Sequence, residues 1–466
     1  MTNPFTLWLR WAVLSGVPRA VLAFQARRGE PLARLLVGPQ RGGDPYVLVE
    51  QIRAKGRLVR TPLVWVSADH ELCRSMLRDS RFKVTNTENM NLPAPLPWLI
   101  RRTDPHLPHP AEPPSMLQVD PPAHTRYRHP VAHSFTPRAV DRLRTRIIEV
   151  TNDLLDKIEA SSHADLITDY AAPLPAEIIA EILAIPVERR SGLRSRGENG
   201  APLLDIGVSW RTFRRGMATL RDSGREIGER IDQLRTHPGD DIFSHIIHNG
   251  NLSDHELATT AALLAGAGFE TTVNLIGNAI VLLLQHPDQL SMLRDDPDLW
   301  PNAVEEVLRL AAPVQMTSRT TFCDIAIGGQ QLRSHETVAL LLGGANRDPD
   351  VFPHPDRFDI TRANAREHLS FSSGVHACLG ASLARMEAAI ALQALFERFP
   401  DLQLTGTPAP RGLATLNGFR RIPACTAPQR SDNGTLADAK RVGEHGDPNS
   451  VTCGHETHPA ANQGGL

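Results

Sequence analysis

From Ser253 to Gln285 the chain runs without a proline, and this stretch limits the possible fold more than any other. Ser253-Asp-His-Glu256 has the form of a capping box, and Pro287 follows the run, which predicts a helix of eight or nine turns. The residues between Thr260 and Ala279 are apolar nearly all round the helix, so it is buried either in a large protein or in a bilayer. Glu270, Asn274 and Asn278 decide against the bilayer, because a charge at mid-span costs about 2.5–3.5 kcal/mol on insertion scales. Gly266 and Gly268 weaken the helix by about 0.5–1 kcal/mol each relative to alanine. Close approach of a flat ligand gives a reason for that cost. The Thr271 hydroxyl is placed to bond back to the Ala267 carbonyl, opening the ladder locally into a polar groove.

The remainder of the chain is dominated by helix-period apolar patterns with a few short strands and no internal repeat. At 466 residues, length alone would allow two or three domains. A formal net charge of −2 gives no global pull toward nucleic acid or an anionic membrane. Five cysteines, at 73, 323, 378, 425 and 453, are too few and scattered for a disulfide framework or a zinc site, and a reducing cytoplasm fits them best. The run from Phe5 to Phe24 is interrupted by Arg10, Pro18 and Arg19 and has no small-residue cleavage site after it. Residues 1–30 are therefore expected to be an amphipathic helical extension, with no integral membrane span.

Ten prolines between Pro93 and Pro122 predict a long irregular loop without helix, a candidate lid or binding wall. A strand pair is expected at Asp324–Ile327 and Val338–Leu342, turning at Gly328-Gly329. Residues 426–466 have almost no large apolar side chains and are expected to form a disordered tail, in which Cys453, His455 and His458 are incidental.

The stretch Phe371-Ser-Ser-Gly-Val-His-Ala-Cys-Leu-Gly380 sets one cysteine between two glycines, just ahead of a helical pattern that runs from Ala381 to Phe396 and closes at Pro400. A helix N-terminus favours an anion, so the thiolate of Cys378 is preferred there, and Gly374 and Gly380 leave room for a macrocycle on the loop. Phe371, Gly374, His376, Cys378 and Gly380 together resemble the haem-binding signature of the cytochrome P450 family. Ala267-Gly268-Phe269-Glu270-Thr271-Thr272 resembles the segment that crosses the distal face of its haem. The family's usual polar residue before the acid is Phe269 in this chain, a departure that narrows or dries the groove.

The resemblance covers about residues 40–420 in the family's motif order. It implies a mainly α fold with a small β region: a single haem-binding domain over residues 1–425, with Cys378 as the ligand of haem b iron. Cleaving dioxygen consumes two protons, and in this reading Thr271 holds the hydrogen bond while Glu270 leads protons in. His124, Arg128, Arg319 and His376 are the implied propionate partners, with Gly268 and Phe371 against the macrocycle. Pro130 is expected to end or kink the helix that carries His124 and Arg128. Glu306 and Arg309 lie on one helical face, and Arg357, in Phe352-Pro-His-Pro-Asp-Arg-Phe-Asp359, would complete a buried structural network with them.

The implied reaction is insertion of one oxygen atom from dioxygen into an apolar organic substrate. Its electrons would come from a ferredoxin and an NAD(P)H-dependent ferredoxin reductase, with Arg126, Arg128 and Arg385 as docking charges. The chain looks similar to actinobacterial members of the family. Segments 91–100, 203–213 and 314–316, residues Ala265 and Phe269, and the turn Leu416-Asn-Gly418 are the expected pocket walls, which suits a lipid, steroid, terpenoid or polyketide. Two other functions share the proximal cysteine: a peroxide-driven peroxygenase, and a non-enzymatic haem-thiolate sensor or carrier.

Overall fold

The computed structural model describes residues 3–38, 44–190, 192–239 and 241–426, so the tail from 427 onward lies outside the described residues. Twelve helices position the site: α1 Pro4–Trp11, α2 Val17–Arg27, α3 His70–Arg78, α4 Leu96–Arg102, α5 Ala123–Ala132, α6 Arg144–Ser161, α7 Pro173–Ile182, α8 Leu193–Gly200, α9 Trp210–Thr236, α10 Asp254–Gln285, α11 Trp300–Leu310 and α12 Ala381–Arg398. The capping box forms as expected, with Ser253 Oγ accepting from Glu256 N and the Glu256 carboxylate accepting from Ser253 N. Apart from its ends, α10 is exposed only at Ala267 and Gly268. The other faces of this helix join one large core with α6, α7, α11 and α12.

A second, smaller core lies against a five-stranded sheet. Its strands are β1 Val59–Arg60, β2 Trp65–Ser67, β3 Phe82–Val84, β5 Thr317–Thr321 and β8 Thr337–Leu340, in the order β1-β2-β8-β5-β3. The remaining strands make small pairs: β6 Ile325–Ile327 with β7 Gln330–Leu332, β10 Ala409–Pro410 with β11 Phe419–Arg421, and β12 Pro423–Cys425 between β4 His163–Asp165 and β9 Gln403–Leu404. The fold is thus mainly helical with a small β region, as the sequence implies.

Three local expectations are corrected. Gly328 and Gly329 do turn, with φ of +57° and +75°, but they close a two-residue hairpin, so β7 and not β8 becomes the partner of β6. Strand β8 instead pairs antiparallel with β5 and parallel with β2. The proline-rich stretch contains helix α4, because Pro97 falls in its first turn, where the missing N–H has no helical partner anyway. Pro130 does not stop α5, which continues to Ala132; only one ladder bond is lost so near the end.

Two helices, Pro4–Arg27 and Asp254–Gln285, are long and apolar enough to cross a membrane by length and composition. The second is the buried core helix. The first is α1 and α2 joined through a π-helical turn at Ala12–Gly16, with Pro18 in the opening turn of α2.

Candidate active site

The cysteine loop is built by backbone geometry. Ser372 and Gly374 take φ of +60° and +72°, and a Cβ on Gly374 would stand 2.5 Å from Leu77 O at the end of α3. Glycine is required there by the close approach of two backbones. Cys378 N donates to Phe371 O at 2.8 Å, closing the loop, and Gly380 caps α12. The Cys378 side chain is accessible yet deep in the protein, so it lines an interior cleft. Burial raises its thiol above the ordinary value; the Gly380 N–H, Arg128 and Arg385 oppose this only in part. A cation bound at the sulfur would favour the thiolate against this burial.

Three bases from separate segments, His124, His376 and Arg319, converge around Asp120, and Arg128 lies one turn beyond His124 on α5. His124 on α5 is buried, with its ring centroid 4.4 Å from that of His376. His376 Nε2 lies 3.5 Å from Asp120 Oδ1, and Asp120 also accepts from Val84 N. Val84 stands opposite Arg319 in the β3–β5 pairing. Arg319 is buried and donates only to Thr317 Oγ1 and Ser318 O, and burial brings its pKa down to about 10 despite the attraction of Asp120. Arg128 Nη2 donates to Ala377 O at 2.7 Å, tying α5 to the cysteine loop.

These side chains fit a haem. Among the described residues, the buried Nε2 atoms of His124 and His376 have no hydrogen-bond partner, and Arg319 is a buried cation with no carboxylate bonded to it. Two propionates would supply the missing acceptors. The exposed Ala267–Gly268 step in an otherwise buried helix is a surface against which a flat ring can lie. Asp120, the acid at the centre of the cluster, was not singled out from sequence; its place at the head of Asp-Pro-Pro was the available signal.

On the distal side Thr271 Oγ1 donates to Ala267 O at 2.7 Å, as expected, and Thr272 Oγ1 donates to Gly268 O at 2.9 Å. Helix α10 nevertheless stays a continuous α-helix through both. Glu270 is buried and faces Arg411, whose Nη1 lies 2.5 Å from Oε1 in an ion contact rather than an aligned hydrogen bond. Burial raises the Glu270 carboxyl and Arg411 lowers it, with a net upward shift. Arg411, on the far side of the chain in sequence, was not foreseen.

A cavity of about 190 Å³ adjoins this part of α10. Leu203, Ala265 and Phe269 line it as expected, together with Ile179 and Leu183 near α7 and Leu220 on α9. Residues 91–100, 314–316 and 416–418 are not among its walls. The turn Leu416–Gly418 is wired to α10 instead, through Asn278 Nδ2 donating to Asn417 O at 3.1 Å.

The structural network behind the loop is complete with a different arginine. Glu306 receives two bonds from Arg309, at 2.7 and 2.8 Å, and the third member is Arg362, whose Nε lies 3.1 Å from Glu306 Oε2. Arg357 is exposed and contributes only its carbonyl oxygen, which accepts from Arg309 and Arg362. Beside it, Glu305 takes Arg385 at 2.8 Å and His368 at 3.0 Å. Burial pushes the Glu305 carboxyl up, but His368 and Arg385 prevail and hold it at about 2. Arg385 also stacks over the Phe371 ring, 4.5 Å from its centroid, so this expected docking charge braces the cysteine loop. Arg126, another, is paired with Glu256.

An accessible thiol at the mouth of a helix, a cluster of buried bases with one carboxylate among them and two imidazole nitrogens left without hydrogen bonds, and a slotted core helix define a haem-thiolate protein. Comparison with known proteins agrees. The family model for cytochrome P450 matches residues 227–411. The putative cytochrome P450 140 of Mycobacterium tuberculosis is 42% identical over 431 residues, covering 91% of this chain and 98% of that protein. The 6-deoxyerythronolide B hydroxylase of Saccharopolyspora erythraea is 43% identical over 297 residues, covering 62% of this chain and 72% of that one. The crystal structure of P450BioI with an acyl carrier protein ligated to hexadec-9Z-enoic acid superposes with a TM-score of 0.77 at 36% identity, covering 82% of this chain and 99% of the other. The chain belongs to the cytochrome P450 family. It is a haem-thiolate monooxygenase whose cofactor is haem b and whose electrons come from separate redox proteins.

Proposed function

We propose that this enzyme acts in the cytoplasm on a hydrophobic substrate of the lipid, steroid, terpenoid or polyketide class, with electrons from a ferredoxin and its NAD(P)H-dependent reductase. The observation that carries the substrate class is the apolar wall of the cavity beside α10, to which Ile179, Leu183, Leu203, Leu220 and Phe269 contribute. The names of two relatives point the same way: one is a 6-deoxyerythronolide B hydroxylase, and the other was crystallised with a fatty-acyl carrier protein.

The reaction balances as R–H plus dioxygen plus two electrons plus two protons, giving R–OH and water. Cys378 would hold the haem iron, His124, Arg128, Arg319 and His376 its propionates, and Gly268 and Phe371 would border the ring. The bound haem supplies reductive activation of dioxygen, and the electron-donating thiolate favours O–O cleavage. The chain's own part is to deliver protons and keep the site dry. Glu270 retains a proton more readily than an ordinary carboxylate, because it is buried. Its contact with Arg411 gives the carboxylate left after proton transfer a counter-charge. The Thr271 hydroxyl, donating to Ala267 O, keeps its lone pairs for a water in the groove. Phe269 buries its ring against Gly197 of α8 and excludes solvent on that side.

The test is the reduced, carbon-monoxide-bound absorption spectrum of wild type and Cys378→Ser, followed by turnover of a panel of hydrophobic substrates. A strongly red-shifted band lost in the variant, with reductase-supported turnover exceeding peroxide-supported turnover, is the expected result. Peroxide-supported turnover in excess would favour the peroxygenase, and no oxidation of any substrate the sensor or carrier.

A further inference from the structure

We propose that the outer face of α1 and α2 docks this enzyme on an anionic lipid bilayer, lying along the membrane interface without spanning it. The face is apolar and open: Phe5 is 62% exposed, Val17 61% and Phe24 56%, with Trp8 and Val21 also exposed between them. Trp98 on the neighbouring α4 is 60% exposed. A contiguous patch of this kind marks an interaction surface.

The π-turn at Ala12–Gly16 is what makes it contiguous. At about 100° per residue, twelve residues of uninterrupted α-helix would leave Val17 roughly 120° away from Phe5. One extra residue in the turn takes up about 100° of that, which brings the stripes of α1 and α2 onto one side.

The opposite side is fixed to the protein body. Leu7 and Leu22 are buried, Arg10 donates to Ile100 O and pairs with Glu112, Trp11 Nε1 donates to Val208 O at 2.9 Å, and Arg19 donates to Gly207 O at 3.0 Å. A spanning helix would break every one of these bonds and place Arg10 and Arg19 in hydrocarbon. An interfacial helix keeps them.

Charge selects the occupant. The chain as a whole carries −2, yet the exposed charges on α2 and its C-cap, α4 and the helix Pro31–Val37 are Arg19, Arg27, Arg28, Arg34, Arg101 and Arg102, none in an ion pair among the described residues. Arg28 lies over the Phe24 ring at 5.6 Å, an apolar body beside a cationic head. Aromatic residues bordered by arginines suit an anionic headgroup layer. The footing of the helix is also a wall of the cavity, since Leu203 packs in the cluster of Leu7, Phe213 and Met217 and lines the space beside α10.

The experiment is co-sedimentation of the full-length holoprotein with vesicles of mixed phosphatidylglycerol and phosphatidylcholine, and with phosphatidylcholine alone. Binding to the mixed vesicles, weakened by salt and reduced about tenfold in Trp8→Ser/Phe24→Ser and in Arg27→Glu/Arg28→Glu, is expected. The haem spectrum of each variant reports its folding, and no turnover is needed, so the outcome is independent of the proposed substrate and redox partners. Absence of binding, or binding unchanged in both variants, overturns the proposal. Release only by detergent overturns it in favour of a spanning helix, and self-association without vesicle binding in favour of a second copy of the chain.

Discussion

The imidazole rings of His124 and His376 stand 4.4 Å apart at 56°, and neither buried Nε2 atom has a hydrogen-bond partner among the described residues. In the proposed site these imidazoles and the buried Arg319 would serve the cofactor more than the fold. Arg319→Met is expected to leave the stability of the haem-free protein unchanged or slightly raised, because it removes a desolvated cation. It should nonetheless speed haem loss to an acceptor apoprotein by roughly 10- to 100-fold, the equivalent of a charged hydrogen bond of about 1.5–3 kcal/mol. His124→Phe should speed the loss by a smaller factor, since burial holds its imidazole down at about 4 and so neutral.

Arg362 and Arg357 should behave differently. Arg362→Ala leaves the fully buried Glu306 with one partner fewer and is expected to cost about 3–5 kcal/mol in chemical denaturation. Arg357→Ala removes only an exposed side chain, and its effect should stay within about 0.5 kcal/mol.

Glu387 is buried in α12, and burial pushes its carboxyl up to about 8. It is therefore neutral in the fold at neutral pH but ionised in the unfolded chain, so stability falls as pH rises from the ordinary carboxylate value of 4.5 toward 8. Glu387→Gln should match wild type at pH 4 and exceed it by about 1–3 kcal/mol at pH 8. Equal pH profiles in thermal denaturation would show that the carboxyl finds a partner.

Glu305 has the opposite sign. Held at about 2, it contributes stability that is present above the unfolded value of 4.5 and lost as pH falls toward 2. Glu305→Gln should remove that acid-limb dependence. By freeing Arg385 from its brace, it should also broaden the haem absorption band through a looser Phe371.

Thr271→Ala removes the hydroxyl but not the helix. Consumption of reducing equivalents should continue while the product formed per equivalent drops about tenfold, the balance appearing as hydrogen peroxide. An unchanged ratio would release Thr271 from proton delivery.

The motifs were legible wherever function depends on residue type at short spacing. The cysteine loop, the capping box, the Thr271–Ala267 bond and the Glu306–Arg309 pair are local, set by glycine, by a helix turn, or by three- and four-residue offsets. What failed was pairing across distance. Arg357 and Arg362 are indistinguishable by composition, and only the course of the chain between residues 352 and 362 turns one inward. The partner of β6 was misplaced for the same reason, and Pro97 because its cost depends on where the helix begins.

The sequence by itself therefore determined the class of chemistry, the cysteine that would carry it and the long helix opposite, because each is encoded in contiguous residues with strong local preferences. Only the tertiary structure decided which charges meet: Arg411 with Glu270, Arg385 with Glu305, Asp120 amid the bases. Such choices turn on burial. A charge is costly away from water unless another lies within a few ångströms, and that distance is fixed by how segments far apart in the chain come together around the core.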